Sequence, residues 1–310
     1  MTPAIRDCAR LGLVHHLLYP ACTTDAEHHE RTLAEFCERD DIETFDCCLP
    51  FGDDRRQRLI PRLRACGKTH LTYAAHFFPF RHIGLGTTSA SEQGLARLIL
   101  ADQIEQAAAI GATGFVFASG GPRPELATEA NYQAFREMVG WLCEELGKHG
   151  IAALLEPFDM TIDKCFLYGP TQVCAELVAA GPANLGIELD LAHVPLMGET
   201  FAQAIHNSAP HLRRVHLGNC VLRDQAHPRY GDTHPPVGLP GGEIDTPQLA
   251  EVLSLLLDVG FLNTATRGDL VFEMTPWPGK SVEDTVADTF SRLDQAWQQV
   301  WRNRSQPSGK

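Results

Sequence analysis

Five polar side chains interrupt strand-like apolar runs in the second half of the chain. They are Glu156 in ALLEPF, Asp190 and His193 in LDLAH, His216 in RVHLGN and Glu273 in VFEMTP. A buried carboxylate without a partner is costly, so each of these acids needs a cation nearby. Three carboxylates and one imidazole brought together repel one another unless a divalent cation lies between them.

These residues predict a metal site formed by Glu156, Asp190, His216 and Glu273. Taken singly, an acid in a strand pairs with an arginine and a histidine forms core hydrogen bonds, but four such residues on successive strands at equivalent depth favour a shared pocket. Oxygen ligands with one nitrogen suit Mn²⁺, Mg²⁺, Co²⁺ or Zn²⁺ and give no reason to choose copper. The identity of the metal stays open on these residues alone.

The segments that must position these residues alternate between predicted strands and predicted helices along the whole chain. Eight apolar runs read as strands, at 11–19, 42–49, 71–78, 113–120, 151–158, 185–193, 212–220 and 270–276. Stretches with helical periodicity and capping signals lie between them. Eight strands alternating with helices predict an α/β fold, a single (β/α)₈ TIM barrel. A doubly wound open sheet is the competitor, but no glycine-rich dinucleotide fingerprint follows the first strand.

We expect one domain over 1–310, with a flexible C-terminal tail from about 302 to 310. Two connections are unusually long and polar, 78–92 after the third strand and 221–245 after the seventh. In a TIM barrel, loops that follow the carboxyl ends of strands form the catalytic face. These two loops are therefore predicted to contact the substrate.

Composition narrows the function classes. The chain is 44% hydrophobic and 21% charged, as in a globular protein, and its net charge of −13 makes nucleic acid an unlikely partner. No segment reads as a membrane span or a targeting signal, and the ten cysteines include no C-x-x-C pair. We therefore expect a cytoplasmic protein whose cysteines are reduced and act as small buried hydrophobes.

Glu188 is the acid left over in IELDLAH. It is two residues before Asp190 and therefore lies on the same inward face of the strand, one layer deeper. We expect it to belong to the packed interior of the barrel. Its partner should be something other than the metal, for example a basic side chain on a neighbouring strand.

The chain resembles the xylose isomerase-like TIM barrels, a group of sugar isomerases and epimerases that includes the ketose 3-epimerases. The resemblance extends over nearly the whole chain in order. It is carried by LLEPF, by LDLAH with its D-x-x-H spacing, by RVHLGN, by FEMTPWPG and by the glycine-rich loop THPPVGLPGGEID.

This resemblance implies a metal-dependent isomerase or epimerase acting on a sugar or a sugar derivative. In the family, residues matching Glu156, Asp190, His216 and Glu273 bind one divalent ion, and we expect one ion in this chain, with Mn²⁺ the first choice. The residues matching Glu156 and Glu273 also face each other across the substrate, one removing a proton beside a carbonyl and the other returning it. The metal holds the adjacent oxygens and stabilises the enediolate.

The substrate side is read from five further residues. By resemblance, His76 lines the pocket and His193 contacts a substrate hydroxyl or orients a ligand, and we also assign His234 to substrate binding. The family places an arginine after the strand-seven histidine; here Arg223 and Arg229 follow His216, and Arg229 is our choice. Trp277 either covers the pocket and stacks on a sugar face or packs at the rim.

Three alternatives stay open. Asp232 and His234 keep the D-x-H spacing of the extra zinc ligands in the endonuclease IV group, but Ser119 stands where that group has a histidine and the loops are not rich in arginine. The same site could instead serve a lyase or deglycosidase acting on a 3-keto sugar, with a second subunit. A binding protein with a vestigial site is the non-enzymatic alternative. The outer helices also leave a homo-oligomer open.

Overall fold

The eight predicted strands form a closed parallel barrel in the order β1 to β8, with β1 also paired to β8. The computed structural model describes residues 3–75 and 83–305. This confirms the prediction of a (β/α)₈ barrel. The strands are β1 (Ala9–Val14), β2 (Thr44–Cys47), β3 (Thr72–Ala74), β4 (Gly114–Phe117), β5 (Ala152–Leu155), β6 (Leu185–Asp190), β7 (Leu212–His216) and β8 (Gly268–Phe272).

Helices surround the barrel, and their ends follow capping chemistry. The Asp25 carboxylate accepts hydrogen bonds from the amides of Glu27 and His28 at the start of α3, and Asp245 caps α10. The helices of the described residues are α1 (Ile5–Cys8), α2 (His15–Leu18), α3 (Ala26–Cys37), α4 (Asp53–Ala65), α5 (Ala90–Ile110), α6 (Glu129–Gly147), α7 (Thr171–Ala179), α8 (His193–Leu196), α9 (Phe201–Ser208), α10 (Thr246–Asp258) and α11 (Val282–Ser305). Short 3₁₀ turns occupy Pro20–Thr23, Pro124–Leu126 and Ala209–His211.

Every strand ends earlier than its apolar run. The run at 11–19 covers the end of β1 and then helix α2. In the run at 185–193, β6 ends at Asp190, and His193 begins α8 instead of extending the strand. Glu156 and Glu273 each follow directly after the last residue of a strand. The chain continues apolar beyond the ladder because the first residues of each loop still pack over the barrel, and periodicity alone does not mark where pairing stops.

One layer of the barrel interior contains a buried network of charged side chains. Arg214 on β7 is 1% exposed, and its guanidinium reaches across the barrel to Asp46 on β2, with Nε 2.9 Å from Oδ1. It also donates to Thr44 Oγ1 at 3.1 Å and contacts Asp269 Oδ2 at 3.4 Å. A buried guanidinium needs this many acceptors because its desolvation is costly. The network lies directly beneath the residues predicted to bind metal.

The last helix extends into the segment that we predicted as a tail. α11 runs to Ser305, so residues 302–305 are helical and that part of the prediction is wrong. The Arg304 guanidinium holds the end of the helix by donating to the Ser254 carbonyl at 2.9 Å and to Asp258 Oδ1 at 2.5 Å. Residues 306–310 lie outside the described part of the chain.

The ten cysteines are free thiols, and eight of them are buried, as predicted for small hydrophobes. Burial raises the pKa of Cys22 to about 11 and that of Cys143 to about 12, which keeps both thiols protonated. Within residues 3–75 and 83–305, no helix combines the length and hydropathy needed to cross a membrane.

Candidate active site

Two adjoining groups of polar side chains lie at the carboxyl ends of β5 to β8. The first group is Glu156, Glu188, His216 and Glu273, each of which offers a ligand atom within 4.8 Å of the others. All four side chains are buried, with at most 3% of their surface exposed. His216 is central: its Nδ1 lies 2.6 Å from Glu273 Oε2 and 2.8 Å from Glu188 Oε1.

The other nitrogen of His216 is held by Asp46. Nε2 lies 3.0 Å from Asp46 Oδ2, and that carboxylate is itself paired with Arg214. Although burial opposes it, the charges of Arg214 and His216 keep the pKa of Asp46 below its usual range, so Asp46 is an acceptor and Nε2 carries the proton. Nδ1 is therefore the nitrogen that faces the first group and would bind a metal there.

The first group carries more negative charge than its own imidazole can balance. Burial, followed by the charges of Glu188, Glu273 and Asp190, raises the pKa of Glu156 well above its usual range. Burial also raises the pKa of Glu188 to about 7, and neither of its oxygens makes an aligned hydrogen bond. Three carboxylates around one imidazole nitrogen fit a divalent cation, which would remove this repulsion.

The second group consists of Asp190, His193, Asp232 and His234. His234 Nε2 lies 2.8 Å from Asp232 Oδ1, and His193 Nε2 lies 3.4 Å from both Asp232 Oδ2 and Asp190 Oδ2. Although burial opposes it, Asp232 raises the pKa of His234 to about 10. His234 has a φ of 45°, in the left-handed region that few residues other than glycine adopt. Such backbone strain is frequent at functional sites.

His193 connects the two groups. Its Nδ1 lies 3.4 Å from Glu156 Oε1 and 3.0 Å from the carbonyl of Pro157, while its ring packs on Phe158 with centroids 4.0 Å apart. The imidazole is 1% exposed. It is therefore fixed between an acid of each group, a position that suits orienting a ligand.

Gly218, two residues after His216, leaves room for the carboxylate of Asp190. A Cβ at this glycine would lie 2.3 Å from Asp190 Oδ1 and 2.9 Å from the Cβ of Ala192. Both distances are too short for real contacts, so a side chain here would displace the carboxylate or the loop. The glycine of RVHLGN thus serves the site directly.

A cavity of about 650 Å³ opens over the two groups. It is large enough for a small-molecule ligand. The residues that line it are His16, Leu17, Glu156, Phe158, Asp163, Lys164, Phe166, Asp232, Thr233, His234, Glu273 and Thr275. Glu156 and Glu273 therefore combine burial with access to the cavity, whereas Glu188 lies below its floor. A separate cavity of about 540 Å³, at the opposite end of the barrel, is lined by Arg10 and Asp269 among others.

The structure brings together most of the residues predicted for the site. Glu156, His216 and Glu273 meet in the first group, and Asp190 lies beside them in the second group. Glu188 has the basic neighbour expected for it, because its partner is the imidazole of His216 on β7. His234 lines the cavity, and His76 lies outside the described residues.

Arg229 and Trp277, predicted to bind substrate, form hydrogen bonds within the protein. Arg229 donates to the carbonyl of Thr233 at 2.9 Å and to Thr275 Oγ1, and Thr275 in turn bonds the carbonyl of His234, so Arg229 supports the loop that carries His234. The Trp277 indole donates to Asp288 Oδ2 at 3.2 Å. Neither residue is among those lining the cavity, and Arg223 points outward to Glu243.

Two residues of the site, Asp46 and Lys164, were not foreseen from the sequence. Asp46 interrupts the apolar strand IETFDCCL in the same way that Asp190 interrupts its own, and this signal could have found it. Lys164 lies in a polar loop without periodicity, where no pattern marks it. Glu188, predicted to lie in the packed interior, contacts the same nitrogen of His216 as Glu273 does.

A third group of possible ligands lies between β1 and α3. His15, Cys22 and His29 are all buried, and the rings of His15 and His29 stack with centroids 5.3 Å apart. His15 Nε2 bonds Thr32 Oγ1 at 3.0 Å and His29 Nε2 bonds the carbonyl of Cys48 at 3.0 Å. These contacts tie α3 to the barrel.

Comparison with known structures supports the fold. A D-tagatose 3-epimerase-like protein is 17% identical and superposes with a TM-score of 0.71, covering 96% of this chain and all of the other. L-ribulose 3-epimerase is 16% identical with a TM-score of 0.70, covering 97% of this chain and all of the other. The 3-keto-D-glucoside 4-epimerase of E. coli is 12% identical with a TM-score of 0.65, covering 91% of this chain and 99% of the other.

The sequence itself matches one family. No curated protein is a significant match to the chain. The family model described as xylose isomerase-like TIM barrel matches residues 40–284, which is most of the chain and includes all the residues of both groups. The closed eight-stranded barrel agrees with this match, as do the two groups of polar side chains at its carboxyl end. The chain belongs to the xylose isomerase-like TIM barrel family.

Proposed function

We propose that this protein is a divalent metal-dependent sugar isomerase or epimerase that moves a proton on a carbon next to a carbonyl. The observation that carries the proposal is the position of Glu156 and Glu273. Both belong to the first group around His216, and both line the cavity. Two carboxylates facing one cavity beside a cation site are the groups that proton removal and return require. The likeness to ketose 3-epimerases supports this choice of substrate class.

In this proposal Glu156, His216 and Glu273 hold the ion together with Asp190. The register pairs Asp190 with His216 on the neighbouring strand, and Asp190 Oδ2 is buried without a hydrogen bond. Glu188 pairs in register with Arg214, one layer deeper and below the cavity. Asp190 therefore lies at the level of His216, one layer nearer the cavity than Glu188, which favours Asp190 as the fourth ligand.

The chain's own residues would perform the remaining steps. When bound, a divalent ion supplies positive charge beside the oxygens that become negative as the proton leaves. One of Glu156 and Glu273 removes the proton and the other returns it from the opposite side. His193 keeps Glu156 in place through its 3.4 Å contact, and His234 presents an imidazole to substrate hydroxyls at the cavity wall.

The test is proton exchange with solvent. Free ketoses and aldoses are incubated with the protein and Mn²⁺ in deuterated water, and deuterium incorporation is followed by NMR; Mg²⁺, Co²⁺ and Zn²⁺ are compared. We expect exchange on at least one sugar, and its loss in Glu156→Gln and in Glu273→Gln. Glu137→Gln, on the outer helix α6, serves as the matched control and should exchange normally. Retained exchange in both site variants would refute the assignment.

A 3-keto sugar is the second candidate substrate. The structural likeness to 3-keto-D-glucoside 4-epimerase favours including 3-keto glycosides in the panel. With these compounds, the same proton removal either ends in epimerisation or expels the group at the neighbouring carbon. Release of the aglycone would identify a lyase or deglycosidase, and copurification of a second subunit would agree with it.

A further inference from the structure

Lys164 places an ammonium group against the second group of polar side chains. Its Nζ lies 2.8 Å from Asp232 Oδ2 and 3.0 Å from the Asp232 carbonyl oxygen. The side chain lines the cavity but is only 28% exposed. A lysine so little exposed and bonded to a buried carboxylate is a fixed component of the site, unlike a solvated surface cation.

Hydrogen bonds to one carboxylate fix the loop that carries Lys164. The Asp159 carboxylate accepts hydrogen bonds from five successive backbone amides: Thr161 at 3.2 Å, Ile162 at 2.7 Å, Asp163 at 2.9 Å, Lys164 at 2.9 Å and Cys165 at 3.4 Å. Cys165 has a φ of 52°, in the left-handed region. The loop is also attached to its target, because Asp163 Oδ2 accepts a hydrogen bond from the amide of Asp232 at 2.7 Å.

The second group has the donors of a cation site in its own right. Four buried atoms of this group make no aligned hydrogen bond: Asp190 Oδ2, His193 Nε2, Asp232 Oδ1 and His234 Nδ1. Three of these residues, Asp190, His193 and His234, each offer a ligand atom within 4.8 Å of the others. Two carboxylates and two imidazoles are a donor set that Mn²⁺ and Zn²⁺ accept. By donor chemistry alone, a second ion would be expected beside the first.

The charges argue for the opposite outcome. In the first group three carboxylates surround one imidazole, but in the second group the ammonium of Lys164 already faces Asp232. A divalent ion bound to Asp232 would lie close to that ammonium in a buried site, where repulsion between like charges is weakly screened. The Lys164 ammonium, which also lies 3.4 Å from Asp163 Oδ2, therefore offsets part of the negative charge of the second group and opposes a further cation there.

We propose that Lys164 is a built-in counter-ion that keeps metal out of the second group, so that each chain binds one divalent ion. The inference rests on the proposed function only in placing that one ion at the first group. Removal of the ammonium exposes the second group to metal and converts the site to a two-ion centre.

The experiment counts ions. The wild-type protein and Lys164→Met are saturated with Mn²⁺, passed through a desalting column and analysed for metal and protein by mass spectrometry. We expect one ion per chain in the wild type and two in Lys164→Met. Because His193 joins the groups at 3.4 Å from Glu156, the two ions would be close, and the Mn²⁺ electron paramagnetic resonance signal of the variant should broaden by spin coupling.

Matched variants decide what the count means. Lys148→Met, on the surface at the end of α6, should keep one ion. The double variant with Lys164→Met and His234→Ala should return to one ion, because it removes a donor of the second group. If Lys164→Met does not fold by circular dichroism, Lys164→Gln retains a polar chain and takes its place. Two ions in the wild type, or one in the folded Lys164 variants, would overturn the proposal.

The ion count also separates this proposal from the proposed function. One ion in the wild type and two in the variant support the role of Lys164 even if no sugar in the panel exchanges a proton. Proton exchange with two ions in the wild type would support the function and refute the role of Lys164.

Discussion

His216 and Asp46 form a hydrogen bond of 3.0 Å inside the barrel, and this bond decides which nitrogen of the imidazole faces the first group. Asp46 accepts from Nε2, so Nδ1 remains for a metal. The carboxylate also makes the imidazole a stronger ligand, because its charge favours electron donation through the ring. The bond joins β2 to β7 and therefore spans the barrel.

We predict that Asp46→Asn weakens metal binding. An amide at this position lacks the charge that supports His216, and loss of such a partner typically lowers metal affinity about 10- to 100-fold. The dissociation constant for Mn²⁺ is measured by titration, with unfolding followed separately. Asp269→Asn is the control, because Asp269 contacts the same Arg214 at 3.4 Å but belongs to neither group of the site. Equal losses of affinity in both variants would contradict the prediction.

We predict that Asp190 and Glu188 differ in their importance for metal binding. Asp190→Asn removes a proposed ligand and should abolish retention of Mn²⁺ on a desalting column. Glu188→Gln should retain the ion, since Glu188 lies below the cavity and contacts His216 from the deeper layer. The opposite pattern would identify Glu188 as the fourth ligand.

We predict that Gly218→Ala destabilises the protein and weakens metal binding together. The new Cβ would meet Asp190 Oδ1 at 2.3 Å, and overpacking of this kind costs about 1–3 kcal/mol. Gly94→Ala is the matched control: it lies in α5 with no atom near a new Cβ and should gain up to about 1 kcal/mol. The free energy of unfolding in urea and the Mn²⁺ affinity are measured for both. A Gly218→Ala protein with unchanged affinity would show that Asp190 is not displaced.

We predict that acid destabilises the protein through His29. Burial lowers the pKa of His29 from 6.5 to about 4 in the folded protein. Between these values the unfolded chain binds more protons than the folded one, so the free energy of unfolding falls as pH falls from 6.5 to 4. The loss amounts to about 3 kcal/mol from this residue.

His29→Gln tests this pH dependence. The glutamine amide can still donate to the Cys48 carbonyl but does not titrate. Urea unfolding at a series of pH values should therefore give a shallower slope in the variant than in the wild type. His206→Gln, on the exposed side of α9, is the control, and a similar change of slope in both variants would exclude His29 as the source.

The order and type of the elements followed from the sequence, whereas the depth of each site residue did not. Eight apolar runs indicated eight strands, but the runs continue over the barrel after pairing stops, so Glu156 and Glu273 lie just beyond strands that we expected to contain them. The predicted ligands meet because the carboxyl ends of parallel strands share one end of the barrel.

The rest depended on contacts between residues far apart in the chain. Alternation shows that Asp190 and Glu188 share a face, but which of them approaches His216 depends on how β6 and β7 are staggered. Lys164 reaches Asp232 only because a loop after β5 docks on a loop after β7 through Asp163. No local pattern in the sequence reports such docking.

The pairing of Arg214 with Asp46 also governs how the protein assembles. The two residues are 168 positions apart, and removing one partner of a buried ion pair costs about 3–5 kcal/mol. The Arg214 guanidinium can be buried with its partner only when β2 and β7 are both in place. A barrel that lacked the first strands would therefore contain a buried charge without that partner. Barrel closure is thereby coupled to charge neutralisation, and the N-terminal strands unfold together with the rest of the ring rather than detaching first.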